Sequence, residues 1–239
     1  MEWVSYFAFG ESGWGNELFA GFLITCRLAL TTLPVGLVIG LAVATLALSN
    51  SWLLRTAARG YTTTFRGIPE LLTLFVVFNG ASVLLNKTAR WIDPESGFVE
   101  LSPFVAGVIA LGLVFGAFSG EVFRGAFQAQ DRGQIEAGIA AGMSRWTVFR
   151  RIQLPQIWRF ALPGLGNLWV SLVKDTALVS IIALDDLMRM TNVAVHFTKK
   201  PFLFYLVTCL CYWLICLLSE QVLALMEARA NRGVRRMTA

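Results

Sequence analysis

Residues 101–120 read LSPFVAGVIALGLVFGAFSG, twenty consecutive positions without a charge. A helix rises 1.5 Å per residue, so such a run crosses the roughly 30 Å hydrocarbon core of a bilayer. The rest of the chain is of the same kind. Of 239 residues, the set AVILMFWYC makes up 56% and charged residues only 15%, with a mean hydropathy of +0.64. Soluble chains carry about 25% charged residues. The formal net charge of +5 would suggest nucleic acid on a soluble protein. Here the basic residues sit between apolar runs, and an anionic lipid headgroup zone accounts for them. The expected class is an all-α integral membrane protein, with lipid as a partner and no nucleic acid.

Four further runs flank the first. Residues 19–48 contain Arg27 as their only charge, and residues 71–86 are uncharged but short unless 62–70 extends them. Residues 160–184 are apolar but interrupted by Lys174 and Asp175; residues 201–219 are uncharged and continue toward Met226. Five transmembrane helices result, with the N-terminus periplasmic and the C-terminus cytoplasmic. Arginine placement supports this parity. The inner side then holds Arg55, Arg59 and Arg66, six arginines between 124 and 159, and Arg229, Arg232, Arg235 and Arg236. The outer side holds only Lys87, Arg90, Arg189, Lys199 and Lys200. Dropping the short second span would export the arginine-rich loop. The expected division is a periplasmic interfacial segment (1–18), a five-span domain (19–226) and a basic cytoplasmic tail (227–239).

No basic residue precedes Arg27, and Glu2, Glu11 and Glu17 open the chain, so the first apolar run is not a secretory signal. Trp3, Tyr6, Phe7, Phe9 and Trp14 read as interfacial anchors, with a short surface helix among them. Cys26, Cys209, Cys211 and Cys216 all lie in apolar runs without zinc-site spacing and read as packing residues. Neither internal duplication nor two similar halves is visible, which counts against a self-contained secondary carrier. Five helices do not easily enclose a solute pathway, so a second copy or a homologous partner is expected.

The longest polar stretch, 121–159, has internal order. QIEAGIAA (134–141) favours a helix, which Gly142 ends with a turn of positive φ. Ser144 caps a second short helix over 145–152, and Pro155 closes the region. Two short helices joined at a glycine outside the bilayer make either a rigid knob or a solvated linker.

EAGIAAGMSRWTVFRRIQLPQ (136–156) resembles the cytoplasmic signature of ABC importer permeases: E-A-A, three residues, G, nine residues, I-x-L-P. Glu136, Ala137, Gly142, Ile152, Leu154 and Pro155 fall on it; Gly138 replaces the second alanine. The resemblance makes residues 130–156 a coupling loop that docks onto an ATP-binding subunit. YTTTFRGIPELL (61–72), FSGEVFRGAFQA (118–129) and the segment 161–187 resemble the polar amino acid uptake permeases, in the histidine/lysine/arginine, arginine or opine branch. The resemblance implies five spans, a binding-protein-dependent importer in the bacterial inner membrane, a dimer of ATP-binding subunits, a second permease and a periplasmic solute-binding protein. ATP and Mg would bind the partner ATPase, with no cofactor in this chain.

Arg66–Pro69 begins the second span, and the resemblance implies that it packs beside the coupling helix. Glu121 and Arg124 lie one turn apart, either as an intrahelical pair or with Glu121 in the solute pathway. Lys174 and Asp175 must face each other, a partner helix or water. Asp175 could meet an ammonium or guanidinium and Lys174 an α-carboxylate, or both could serve a subunit interface. Asp185, Asp186 and Arg189 lie beyond the fourth span and read as a solvated loop or a receptor for the binding protein; His196 receives no role. The chain lacks G-x-x-x-x-G-K-[ST], so it is not the ATPase. It also lacks H-E-x-x-H and paired intramembrane aspartates, which argues against an intramembrane enzyme. A channel or assembly scaffold without ATP coupling is the alternative.

Overall fold

The computed structural model describes residues 5–10, 13–93 and 100–231, and every regular element among them is helical. In chain order they are α1 (Gly15–Ala47), α2 (Trp52–Gly67), α3 (Glu70–Ile92), α4 (Pro103–Gln128), α5 (Arg132–Ala140), α6 (Arg145–Val148), α7 (Leu154–Asp175), α8 (Leu187–Thr198) and α9 (Pro201–Ala230). Five stretches of the described residues are long and apolar enough to span a membrane: α1, α3, α4, Arg145–Ile182 and α9. They match the five expected runs.

Helices α1 and α4 form the centre, and small residues let them approach. A Cβ on Gly36 would lie 2.5 Å from Phe115 Cδ1, and one on Gly116 would lie 2.5 Å from Ile39 Cγ2. Gly40 sits on Ser119, and Gly112 and Gly120 receive Val35 and Val43. The Ser119 hydroxyl donates to the Gly36 carbonyl at 3.2 Å, a hydrogen bond between helices in an otherwise apolar contact. Lipid offers no hydrophobic gain to helix association, so close van der Waals contact of this kind supplies it. Leu28, Leu74, Ala110, Phe115, Leu172 and Val179 form the core around this pair. By contrast, α9 buries only Phe204 and Thr208, and α3 only Thr73 and Leu74.

Two boundaries differ from the sequence reading. The second span does not gain length from residues 62–70: α2 ends at Gly67, and α3 instead runs on to Ile92. Ile68 and Pro69 take extended ψ values of 135° and 138°; Ile68 does so because the residue before a proline is driven out of the helical region. Nor does Pro155 close the polar region. A five-residue π turn, Phe149–Gln153, joins α6 directly to α7, where Pro155 occupies the first turn and its missing N–H is harmless. Beyond Asp175 the rod continues as a 3₁₀ segment, Thr176–Ile182, which Ala183 ends at φ 68°.

The described N-terminal aromatics pack in part against α8 and α9. Phe7 and Tyr6 lie 5.2 and 6.3 Å from the Phe204 ring, and Trp14 stacks on Phe197 at 5.7 Å; Phe9 alone of the described four is strongly exposed. Trp3, Glu2, Glu11 and the tail arginines from Arg232 onward lie outside the described residues.

Candidate functional site: a rigid knob and an intramembrane carboxylate pocket

The knob begins at Asp131, whose side chain accepts from the Gly133 amide at 2.9 Å and caps α5. Glu136 is therefore the fifth residue of α5, mid-helix and exposed, rather than near its start. The helix ends in a full Schellman motif: Gly142 N donates to Ile139 O at 2.9 Å, and Met143 N to Gly138 O at 3.1 Å. Gly142 has φ 81°, as expected from the sequence. Ser144 caps α6 by accepting from Thr147 N at 3.2 Å.

Gly138, the departure from the family pattern, has a packing reason. It is the one buried residue of α5, and a Cβ there would lie 2.7 Å from Ile152 Cδ1 and 3.2 Å from Val148 Cγ2. The glycine draws α5 onto the α6–π segment. Ile152 is half-buried in that contact, while Ala137, Leu154 and Pro155 are exposed. Glutamines fix the knob to the spans. Gln130 Nε2 donates to the Gln153 carbonyl at 2.8 Å, Gln153 Nε2 to Gln130 Oε1 at 3.3 Å, and Gln156 Nε2 to Gln134 Oε1 at 2.7 Å. The outer face presents Ile139, Met143, Trp146 and Leu154, with Trp146 68% exposed and stacked on Phe149 at 5.7 Å.

Within the spans, Lys174 and Asp175 point to different places. Asp175 lines a cavity of about 130 Å³ together with Glu70, Ser171, Leu111, Phe115 and Phe118. Lys174 lines a polar cavity of about 350 Å³ between α7 and α9, with Asn167, Ser171, Glu220 and Glu227. Two carboxylates in a largely apolar pocket favour a cation between them. Glu70 was missed in the sequence. Its signal was an acidic residue directly after the Gly67–Pro69 break, where it looked like the edge of a span.

Glu121 takes the intrahelical form: Arg124 donates to its Oε2 from Nη2 at 2.5 Å and from Nε at 3.1 Å. It does not line the Glu70–Asp175 cavity. Arg66 lies over the Phe118 ring at 5.4 Å, so the RGIP segment borders the carboxylate pocket and packs on α4. Asp186 is not in a solvated loop. It is fully buried and caps α8, accepting from Arg189 N at 2.9 Å, while Arg189 Nε donates to exposed Asp185 at 2.8 Å.

Residues 36–232 match the family model described as binding-protein-dependent transport system inner membrane component. The chain belongs to that family. Among its relatives, the octopine transport system permease protein OccQ of Rhizobium radiobacter is 42% identical, over 99% of both chains. The histidine/lysine/arginine/ornithine transport system permease protein HisQ of Escherichia coli is 39% identical over 94% of this chain and 97% of its own. A crystal structure of an amino acid ABC transporter with histidines superposes with a TM-score of 0.76 at 28% identity, covering 90% of this chain and 94% of that one. The inward-facing MetNI methionine ABC transporter shares the fold, with a TM-score of 0.67 at 20% identity. This family member is thus a multi-pass membrane component of a transport system.

Proposed function

We propose that this chain is the permease subunit of an ATP-driven importer of basic amino acids or opines in the bacterial inner membrane. The knob carries this reading: an exposed apolar platform at one end of the long helical stretch Arg145–Ile182 that also bears Asp175. Such a rod can transmit movement between an ATP-binding subunit, which hydrolyses ATP with its own Mg, and the carboxylate pocket. Glu136, Ala137, Gly142, Ile152, Leu154 and Pro155 would form or support the docking face, with Gly138 holding it together.

Glu70 and Asp175 would receive the cationic group of the solute, and Lys174 would face the second permease across the pathway. The relatives named for octopine and for histidine, lysine, arginine and ornithine support a basic substrate. In this reading the α8 side faces the periplasmic binding protein and the knob faces the cytoplasm.

The test is ATP hydrolysis by the reconstituted complex of permeases, ATP-binding subunits and binding protein, measured against a panel of amino acids. Stimulation by arginine, lysine or octopine supports the reading. Flux that proceeds without ATP would instead show a channel.

A further inference from the structure

Helices α7 and α9 have two unlike sides. One is polar, with Asn167, Ser171 and Lys174 opposite Glu220 and Glu227. The other, closed by α1, is an open apolar groove of about 470 Å³ whose floor and walls include Phe22, Leu37, Trp158, Trp169, Ser219 and Met226. Intramembrane charges avoid lipid, so a second permease belongs on the polar side and the apolar side is left to the bilayer.

Along α7 and α9 the groove has the length of one leaflet. From Trp158 to Trp169 along α7 is eleven residues, about 17 Å at helical rise and about half of a 30 Å core. Arginines stand at its knob-side end. Arg229 follows Met226 by one turn of α9, and Arg159 precedes Leu162 by one turn of α7. The i, i+3 step keeps Arg229 on the groove's face, and Arg159 flanks it, next in sequence to the lining Trp158, with its guanidinium over the Phe160 ring at 5.7 Å. Lipid phosphates are attracted to such positions.

We propose that this groove binds an anionic phospholipid from the knob-side leaflet, one acyl chain lying between α1, α7 and α9 and the phosphate between Arg159 and Arg229. The lipid fills a gap that α9, so little buried elsewhere, leaves against the bundle. It thereby ties α9 to the rod that carries the knob.

Native mass spectrometry of the assembled transporter, exchanged from zwitterionic nanodiscs and titrated with phosphatidylglycerol or phosphatidylcholine of equal chain length, tests this. One phosphatidylglycerol should be retained per copy of this chain. Ser219→Phe, which fills the groove, should abolish retention. Arg159→Ala with Arg229→Ala leaves the groove open and should cut the preference for phosphatidylglycerol about thirtyfold, each arginine near a headgroup contributing about fivefold. Equal retention of both lipids by the wild type, or retention unchanged in the double-arginine variant, overturns the proposal. So does a disulfide between two copies carrying Ser219→Cys in a background without the native cysteines, which would place a second copy in the groove.

Discussion

Asp175 and Glu70 show how a single side chain acquires its role. Asp175 was legible as an expensive charge in a span, but its partner 105 positions away was not, because only the packing of α3 against α4 and the 3₁₀ segment brings them to one cavity. Asp175→Asn or Glu70→Gln should weaken uptake of a cationic solute about tenfold to a hundredfold, as expected for one charge-assisted contact of about 1.5–3 kcal/mol. Radiolabelled arginine uptake in vesicles, normalised to assembled complex, measures this; normal uptake by both variants would assign the carboxylates a structural role. Asp186 gives a second residue-scale expectation. Burial pushes its carboxyl up to about 7, against the opposing hydrogen bond from the Arg189 amide. In the unfolded chain it titrates near about 3.9, so the folded state holds the extra proton between the two values. Stability from this group is present below the lower value and lost as pH rises toward 7. The thermal midpoint should therefore fall as pH rises from about 4 to about 7. Asp186→Asn, which still caps α8, should flatten that dependence.

Among the elements, the knob was the most legible. Cap and stop residues act locally, so Ser144 and Gly142 could be placed without knowing the fold. What local signals could not supply was the fixing of α5 to the spans, which depends on Gln130–Gln153 and on the Gly138–Ile152 contact. Gly142→Asp should cost about 1 kcal/mol or more at its positive φ and displace the docking face. With Glu136→Lys, it should leave the permease inserted yet lower substrate-stimulated ATP hydrolysis to the basal rate. Full ATP-driven uptake by both variants would reduce the knob to a linker. At the α1–α4 contact, Gly116→Leu should overpack against Ile39 and cost about 1–3 kcal/mol, seen as a lower thermal midpoint of the purified chain. The repeated glycines at 36, 40, 112, 116 and 120 carried that signal in plain view. Their pairing became visible only with the two helices side by side.

At the scale of the whole molecule, the topology argument makes a direct prediction. Cysteines introduced singly at Arg132 and at Lys199, in a chain without the native four, should react with impermeant maleimide from opposite faces of the membrane. Reaction of both from one face would overturn the five-span orientation. The sequence by itself determined the class, the number of spans and the knob's caps. Hydrophobic run length, proline and glycine stereochemistry and capping act over one or two turns, and need no knowledge of what lies elsewhere. Tertiary structure decided which intramembrane charges share a cavity, that Lys174 and Asp175 diverge, that Asp186 is buried, and that α9 leaves a groove beside α1. Those outcomes depend on helix rotation and crossing, which van der Waals fit between distant stretches of chain sets and no local pattern encodes.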